Sequence, residues 1–330
     1  MSELLKSIDA RTKLAGTNKL ELLLFSLGTD SRTGRKETFG INVFKVREVM
    51  RTPPITAAPE MPDAVEGMVS LRGMLVPVVD LAKYAHVAND QPREIMIVTE
   101  YNGHTQGFLV EAVDTILRLD WAQMKVPPEM LTARMGGLVT AVTELADGRL
   151  VMLLDVERVL SETTHFDDSL IFKDIQPINR SDATVVFADD SSVARRQIQQ
   201  TLEAMQVRYV AAINGKQAWE ELQKLASYAE STGRTARDVV SLVLTDIEMP
   251  ETDGYMLTKM IKNDPRFTGI PVLMHSSLSG MSNQQLGRSV GVDEYVAKFE
   301  PQQLATTINR LLRPEEVPVG QQHPPAAVAA

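Results

Sequence analysis

Two rhythms of apolar residues divide this chain. From Leu20 to about Ser161 the apolar positions come in short runs separated by polar turns. Leu22–Leu27 is one such run and Phe39–Val43 another, followed by a helix-like piece through Val46, Val49 and Met50. Gly67–Gly73 and Met74–Asp80 read as two strands joined at a glycine turn. Ile95–Thr99 and Thr105–Val110 read as a hairpin around Asn102-Gly103, a dipeptide suited to a two-residue turn. Leu150–Asp155 closes the series. Many short strands at this spacing predict small barrels or a sandwich.

After Asp182 the rhythm becomes strand and helix in alternation. Apolar runs at Thr184–Ala188, Val239–Thr245, Pro271–His275 and the segment ending Tyr295-Val296-Ala297 read as buried strands. Helical patterns fall at about 191–205, 215–229, 255–263, 281–289 and 301–312, and 231–237 reads as an extended loop. Alternation of this kind predicts a parallel, doubly wound α/β sheet. The chain therefore divides into a lead-in (1–19), a β-rich domain (20–162), a polar linker (163–182), an α/β domain (183–313) and a Pro/Ala/Gln-rich tail (314–330) expected to be disordered.

Composition narrows the function. A net charge of −9 argues against a nucleic-acid surface, which needs a basic patch. The absence of cysteine removes disulfides and thiolate metal sites, and fits the cytoplasm. No apolar run approaches the ~20 residues of a membrane span, so no membrane insertion is expected, and the N-terminal segment lacks the pattern of a signal peptide. In the front half, His86, His104 and His165 are scattered without metal-ligand spacing.

The chemistry lies at strand ends in the second half. One strand ends in Asp189-Asp190, the next in Asp246, another in Ser276 and the last in Lys298. Each has an ordinary use alone: Asp190 or Ser191 as a helix cap, the segment after Asp246 as a turn, Lys298 as a surface lysine. Together, in the order acid pair, acid, hydroxyl, lysine, they describe a site that takes up a phosphoryl group. A carboxylate is a poor nucleophile toward a phosphate dianion unless a cation offsets their repulsion, and a cluster of carboxylates suits Mg²⁺. Lys298 and Ser276 would then face the phosphoryl oxygens.

Residues from about Thr184 to Leu312 resemble a response-regulator receiver domain, the flavodoxin-like family that includes CheY. The resemblance implies that Asp246 is the phosphoacceptor, with Met249-Pro250 and Asp253-Gly254 as its context, that Ser276 and Tyr295 are the switch pair, and that Lys298 is the family lysine. It implies Mg²⁺ held by the side chains of Asp190 and Asp246 and the backbone carbonyl of Glu248, with Asp189 acting through water. Such a domain assists its own phosphorylation and dephosphorylation and is not an enzyme acting on other substrates. Three departures stand out, one being that the loop 231–237 exceeds the typical length. Lys298 is followed by Phe299 where the family has proline, and Leu278, two residues after Ser276, is apolar near the path of attacking water, so slow self-dephosphorylation is expected.

The stretch Ser70-Leu71-Arg72-Gly73 followed by Val76-Pro77-Val78-Val79-Asp80-Leu81 resembles the signature of CheW-type coupling domains, and the likeness extends over about 20–161. It implies a pair of five-stranded barrels that join chemoreceptors to the histidine kinase CheA, with Val46 and Glu48 at the receptor-facing surface and Arg72 holding coupling contacts. The order of the two domains is similar to that of the CheV family of chemotaxis coupling proteins. That resemblance implies a cytoplasmic adaptor attached to receptor arrays through protein contacts and regulated by phosphorylation of Asp246. Two alternatives stay open: a phosphate sink draining the kinase, or a metal-dependent phosphohydrolase with Glu248 as its acid–base group.

Overall fold

The computed structural model describes residues 19–29, 34, 36–87, 92–101, 104–163, 172–178, 180, 182–276, 287–298 and 300–312. The front domain holds ten strands: β1 (Lys19–Ser26), β2 (Thr38–Asn42), β3 (Val46–Arg51), β4 (Val65–Leu71), β5 (Met74–Asp80), β6 (Ile95–Tyr101), β7 (His104–Val110), β8 (Ala112–Asp120), β9 (Val139–Glu144) and β10 (Leu150–Leu154). Short helices α1 (Leu81–Tyr84) and α2 (Glu129–Arg134) interrupt them, and α3 (Val156–Thr163) closes the domain. The strands form two five-stranded sheets, in the orders β8-β1-β2-β10-β9 and β3-β6-β7-β5-β4.

Strand alternation explains why both faces of these sheets are apolar. In β1, Leu20, Leu22 and Leu24 enter a core enclosed by their own sheet, with Trp121 and Val151. Leu23 and Phe25 point the other way, into a core shared by both sheets. The second sheet repeats this: Val76, Val78, Met96 and Val98 fill its own core, while Val79, Ile97 and Phe108 join the shared one. Period-2 side chains thus give each strand two buried faces.

Two sequence expectations are corrected here. Val46, Val49 and Met50 lie in β3, not a helix; their spacing fits a helical face, but the segment pairs antiparallel with β6, Val49 opposite Ile97. Residues 231–237 are not an extended loop. The helix α5 (Gly215–Ser231) takes up the first of them, and a 3-10 turn at Ala236–Asp238 the last.

The second domain has strands β11 (Thr184–Ala188), β12 (Arg208–Ala212), β13 (Leu242–Thr245), β14 (Val272–Ser276) and β15 (Glu294–Ala297), with helices α4 (Ser192–Ala204), α5, α6 (Gly254–Asn263) and α7 (Pro301–Leu312). All four strand pairings are parallel, in the order β12-β11-β13-β14-β15. Apolar cores lie on both faces, one with α4 and α7, the other with α5 and α6. Phe172, Ile175 and Ile178 of the connecting segment pack on the first of these. The strand order reverses at β11, and the crevice beside such a switch point is where open α/β sheets bind ligands.

Gly254 ties α6 to that crevice. Its amide donates to the Ile247 carbonyl at 2.9 Å, and a Cβ at this position would lie 1.9 Å from the Asp246 carbonyl oxygen. Gly254→Ala must push the helix off the strand end. We expect it to destabilise the second domain by about 3 kcal/mol or more, read as a shift in its urea unfolding midpoint; an unchanged midpoint would contradict this packing.

Candidate functional site

Parallel register sets the acids side by side. Ala188 pairs with Thr245, so Asp189 and Asp246 emerge together, and the Asp246 amide donates to the Ala188 carbonyl at 2.9 Å. Carboxylate oxygens of Asp189, Asp190 and Asp246 lie within 4.8 Å of one another. Lys298, just beyond β15, reaches back with its Nζ 2.9 Å from Asp189 Oδ2 and 3.0 Å from Asp246 Oδ2. Asp189 also accepts from the Ser191 amide at 2.9 Å, and Asp246 Oδ1 from the Ile247 amide at 2.6 Å. The capping role open to Asp190 or Ser191 falls to Ser191, whose hydroxyl accepts from the Ala194 amide. Arg195 fixes the loop by donating to the carbonyls of Asp189 and Asp190, both at 2.8 Å.

Ser276 ends β14 and is buried. Its side chain hydrogen-bonds Tyr295, which is half-buried against Ile247, Tyr255 and Met274. Asp189, Asp190, Asp246 and Lys298 therefore converge, with Ser276 and Tyr295 on the two adjoining strands. Leu278 and Phe299 lie outside the described residues, and no cis peptide occurs among the described ones.

The electrostatics are those of a crowded acid cluster. Burial raises the Asp246 carboxyl to about 6, against the pull of Lys298 and with the push of Asp189 and Glu157. Burial, with Asp246 and Asp189 adjoining, holds Asp190 well above the usual carboxylate range. Burial lifts Glu248 to about 7, opposed by Lys45. Burial works to lower Lys298, but its acidic neighbours outweigh it and hold the ammonium firmly charged. Three hard oxygen donors with surplus negative charge suit Mg²⁺.

Five residues that the sequence analysis did not single out complete the surroundings, and all come from the front domain. Glu157, at the start of α3, places Oε2 3.6 Å from Lys298 Nζ and Oε1 3.0 Å from Lys45 Nζ. Asn42 donates through Nδ2 to Glu248 Oε1, and Asp155 faces the Ser191 hydroxyl. The Glu251 amide donates to the Trp121 carbonyl at 3.3 Å. The only available signal was Asp155 standing at the end of a strand, as Asp246 does.

On the front domain, Arg72 and Gly73 both have positive φ, 51° and 83°, and form the two-residue turn between β4 and β5, as such turns require. Arg72 is exposed and pairs with Glu48 at 3.0 Å. Val46 departs from its expected surface position: it is buried in the shared core, leaving Glu48, Val49 and Arg72 as the accessible groups there. Asp80 in the same motif is buried and caps α1.

Comparison with known proteins covers both halves. The CheW-like domain family matches residues 21–164, and the response regulator receiver domain family residues 185–309. Chemotaxis protein CheV1 of Helicobacter pylori is 27% identical, over 94% of this chain and 99% of its own length. Chemotaxis protein CheV3 of the same organism is 28% identical, over 89% and 95%. Chemotaxis protein CheW of Klebsiella aerogenes is 32% identical over 46% of this chain and 87% of its own length.

A raised carboxyl pKa favours the folded state most below the unfolded value and loses that contribution as pH rises through the folded one. Asp246, Glu248 and Asp253, the last raised by burial to about 6, act in this sense. His275, lowered by burial to about 3, opposes them. With three groups against one, metal-free stability should fall as pH rises from about 4 to 7. Asp190→Asn removes one crowded charge and should raise metal-free stability by about 1–2 kcal/mol while losing the stabilisation by Mg²⁺, both read by thermal unfolding in chelator and in Mg²⁺. A variant no more stable than the wild type in chelator would contradict the crowding.

Proposed function

This chain belongs to the CheV-type chemotaxis coupling proteins, a CheW-like domain joined to a receiver domain, and we propose that it couples chemoreceptors to the histidine kinase CheA under the control of phosphorylation at Asp246. The observation that carries this reading is the placement of Asp246, Asp189 and Asp190 around the Lys298 ammonium. In the transfer step a carboxylate oxygen of Asp246 bonds to phosphorus while the donor's bond to phosphorus breaks. From a phosphohistidine that electron pair goes to an imidazole already protonated on its other nitrogen, which leaves neutral. From an acyl phosphate it goes to the departing carboxylate. Asp190 and Asp246, with the Glu248 carbonyl, would hold Mg²⁺, and Asp189 would hold it through water; when bound, it offsets the repulsion between carboxylate and phosphate.

Lys298 is placed to follow the new charge onto a phosphoryl oxygen. Ser276 would donate to another, and in doing so give up its bond to Tyr295. Tyr295 would then repack against Ile247, Tyr255 and Met274, changing the surface at the end of the sheet. The phosphohydrolase alternative needs Glu248 as an acid–base group, but Asn42 engages that carboxylate.

Intact mass after incubation with Mg²⁺ and a small acyl phosphate tests the acceptor. We expect a gain of one phosphoryl group in the wild type and none in Asp246→Asn. In assemblies with kinase and receptors, phosphorylation should lower kinase coupling. A mass gain that leaves coupling unchanged would favour the phosphate sink, and no gain from either acyl phosphate or kinase would reject Asp246 as an acceptor.

A further inference from the structure

The front domain covers the acid cluster. Asp246 is 3% exposed, and Lys298 2%. What covers them is a ring of front-domain groups: Asn42 on Glu248, the Trp121 carbonyl on the Glu251 amide, and Glu157 bridging Lys45 and Lys298. Lys45 lies near Glu248 and Asp190 as well as Glu157, and these acids keep it charged against the effect of burial. It is thus a tethered cation within a cluster that suits a divalent one. The gap left between the domains, lined by Asn42, Lys45, Trp121, Asp190, Ser191 and Glu248 among others, has a volume of about 20 Å³, room for roughly one water. A phosphoryl group does not fit there, still less the phosphohistidine of another protein.

We propose that this contact is a closed resting state in which the coupling domain caps the receiver's site, and that phosphoryl transfer requires the domains to part. The inference rests on the reading of Asp246 as phosphoacceptor. Its energetic sense follows from charge. Converting the Asp246 carboxylate to an acyl phosphate adds negative charge beside Glu157 and draws Lys298 toward the phosphoryl oxygens, so the bridge that Glu157 makes is lost. Coupling is reciprocal: a contact that excludes the phosphoryl group is itself opposed by it. Phosphorylation would thereby free the front-domain face built from Asn42, Lys45, Trp121 and Glu157.

Full-length Lys45→Glu separates this from local electrostatics. It sets a carboxylate against Glu157 and Glu248 and should force the domains apart. If the contact gates the site, the variant takes up phosphate from acyl phosphate and Mg²⁺ at least about five times faster than the wild type, and its radius of gyration by X-ray scattering increases before any donor is added. If the domains stay closed, an added negative charge can only slow the reaction. Asn42→Asp is the second variant: the new carboxylate faces Glu248 yet still accepts from the Phe44 amide, the cap Asn42 now makes, so folding is preserved. Equal or slower phosphorylation with unchanged dimensions in both variants would overturn the proposal and leave the acceptor role of Asp246 intact. Expansion of the variants with no mass gain in any protein would overturn the acceptor role, and the gating with it.

Discussion

The Lys298 ammonium is the charge on which both halves of the molecule converge. It lies within 3.0 Å of Asp246 and Asp189 and 3.6 Å from Glu157 of the other domain. A pair of unit charges near 4 Å is worth about 4 kcal/mol at an effective dielectric constant of ~20. Much of that is offset by removing the ions from water. The acids outnumber the ammonium, so removing Lys298 leaves uncompensated charge, whereas removing one acid relieves crowding. A group that draws Lys298 elsewhere takes the counter-ion from Glu157, and the contact between domains feels a change made inside one of them.

The fold supplies the geometry that such a balance needs. A parallel sheet whose order reverses at β11 carries Asp189, Asp246, Ser276 and Lys298 to one rim. Gly254 lets α6 close on the Asp246 backbone. The two sheets of the front domain share one apolar core, so Asn42, Lys45 and Glu157 stand on a rigid body. The contact between the domains at this rim is by contrast polar, made of the Glu157–Lys298 ion pair and single hydrogen bonds. Interfaces of that kind between domains of one chain permit relative motion, whereas the apolar cores on either side do not come apart at small cost.

Much of this was legible in the sequence because strand ends are marked by where apolar runs stop. Asp246, Asp189 and Lys298 each follow such a run, and parallel pairing leaves no choice but to gather them. Arg72-Gly73 was legible as a turn because a two-residue hairpin demands positive φ. The errors have the same physical root: short-range periodicity knows nothing of pairing partners. Val46, Val49 and Met50 have the spacing of a helical face, yet pairing with β6 makes them a strand and turns Val46 inward. Lys45 and Glu157 were illegible for a stronger reason. Both belong to the front domain, where they pair with each other, and only docking of the two domains brings them onto Lys298 and Glu248.

The coupling of the two domains depends on whether the cap lifts when Asp246 is phosphorylated. The chain has no cysteine, so spin labels can be placed singly on each domain, at the exposed Met130 and Tyr228. Pulsed dipolar spectroscopy would then give the distance between domains before and after treatment with Mg²⁺ and acyl phosphate, with mass gain verified on the same sample. One narrow distribution is expected at rest, and a longer and broader one once Asp246 carries phosphate. A distribution that stays narrow and unshifted in fully phosphorylated protein would contradict the lifting of the cap.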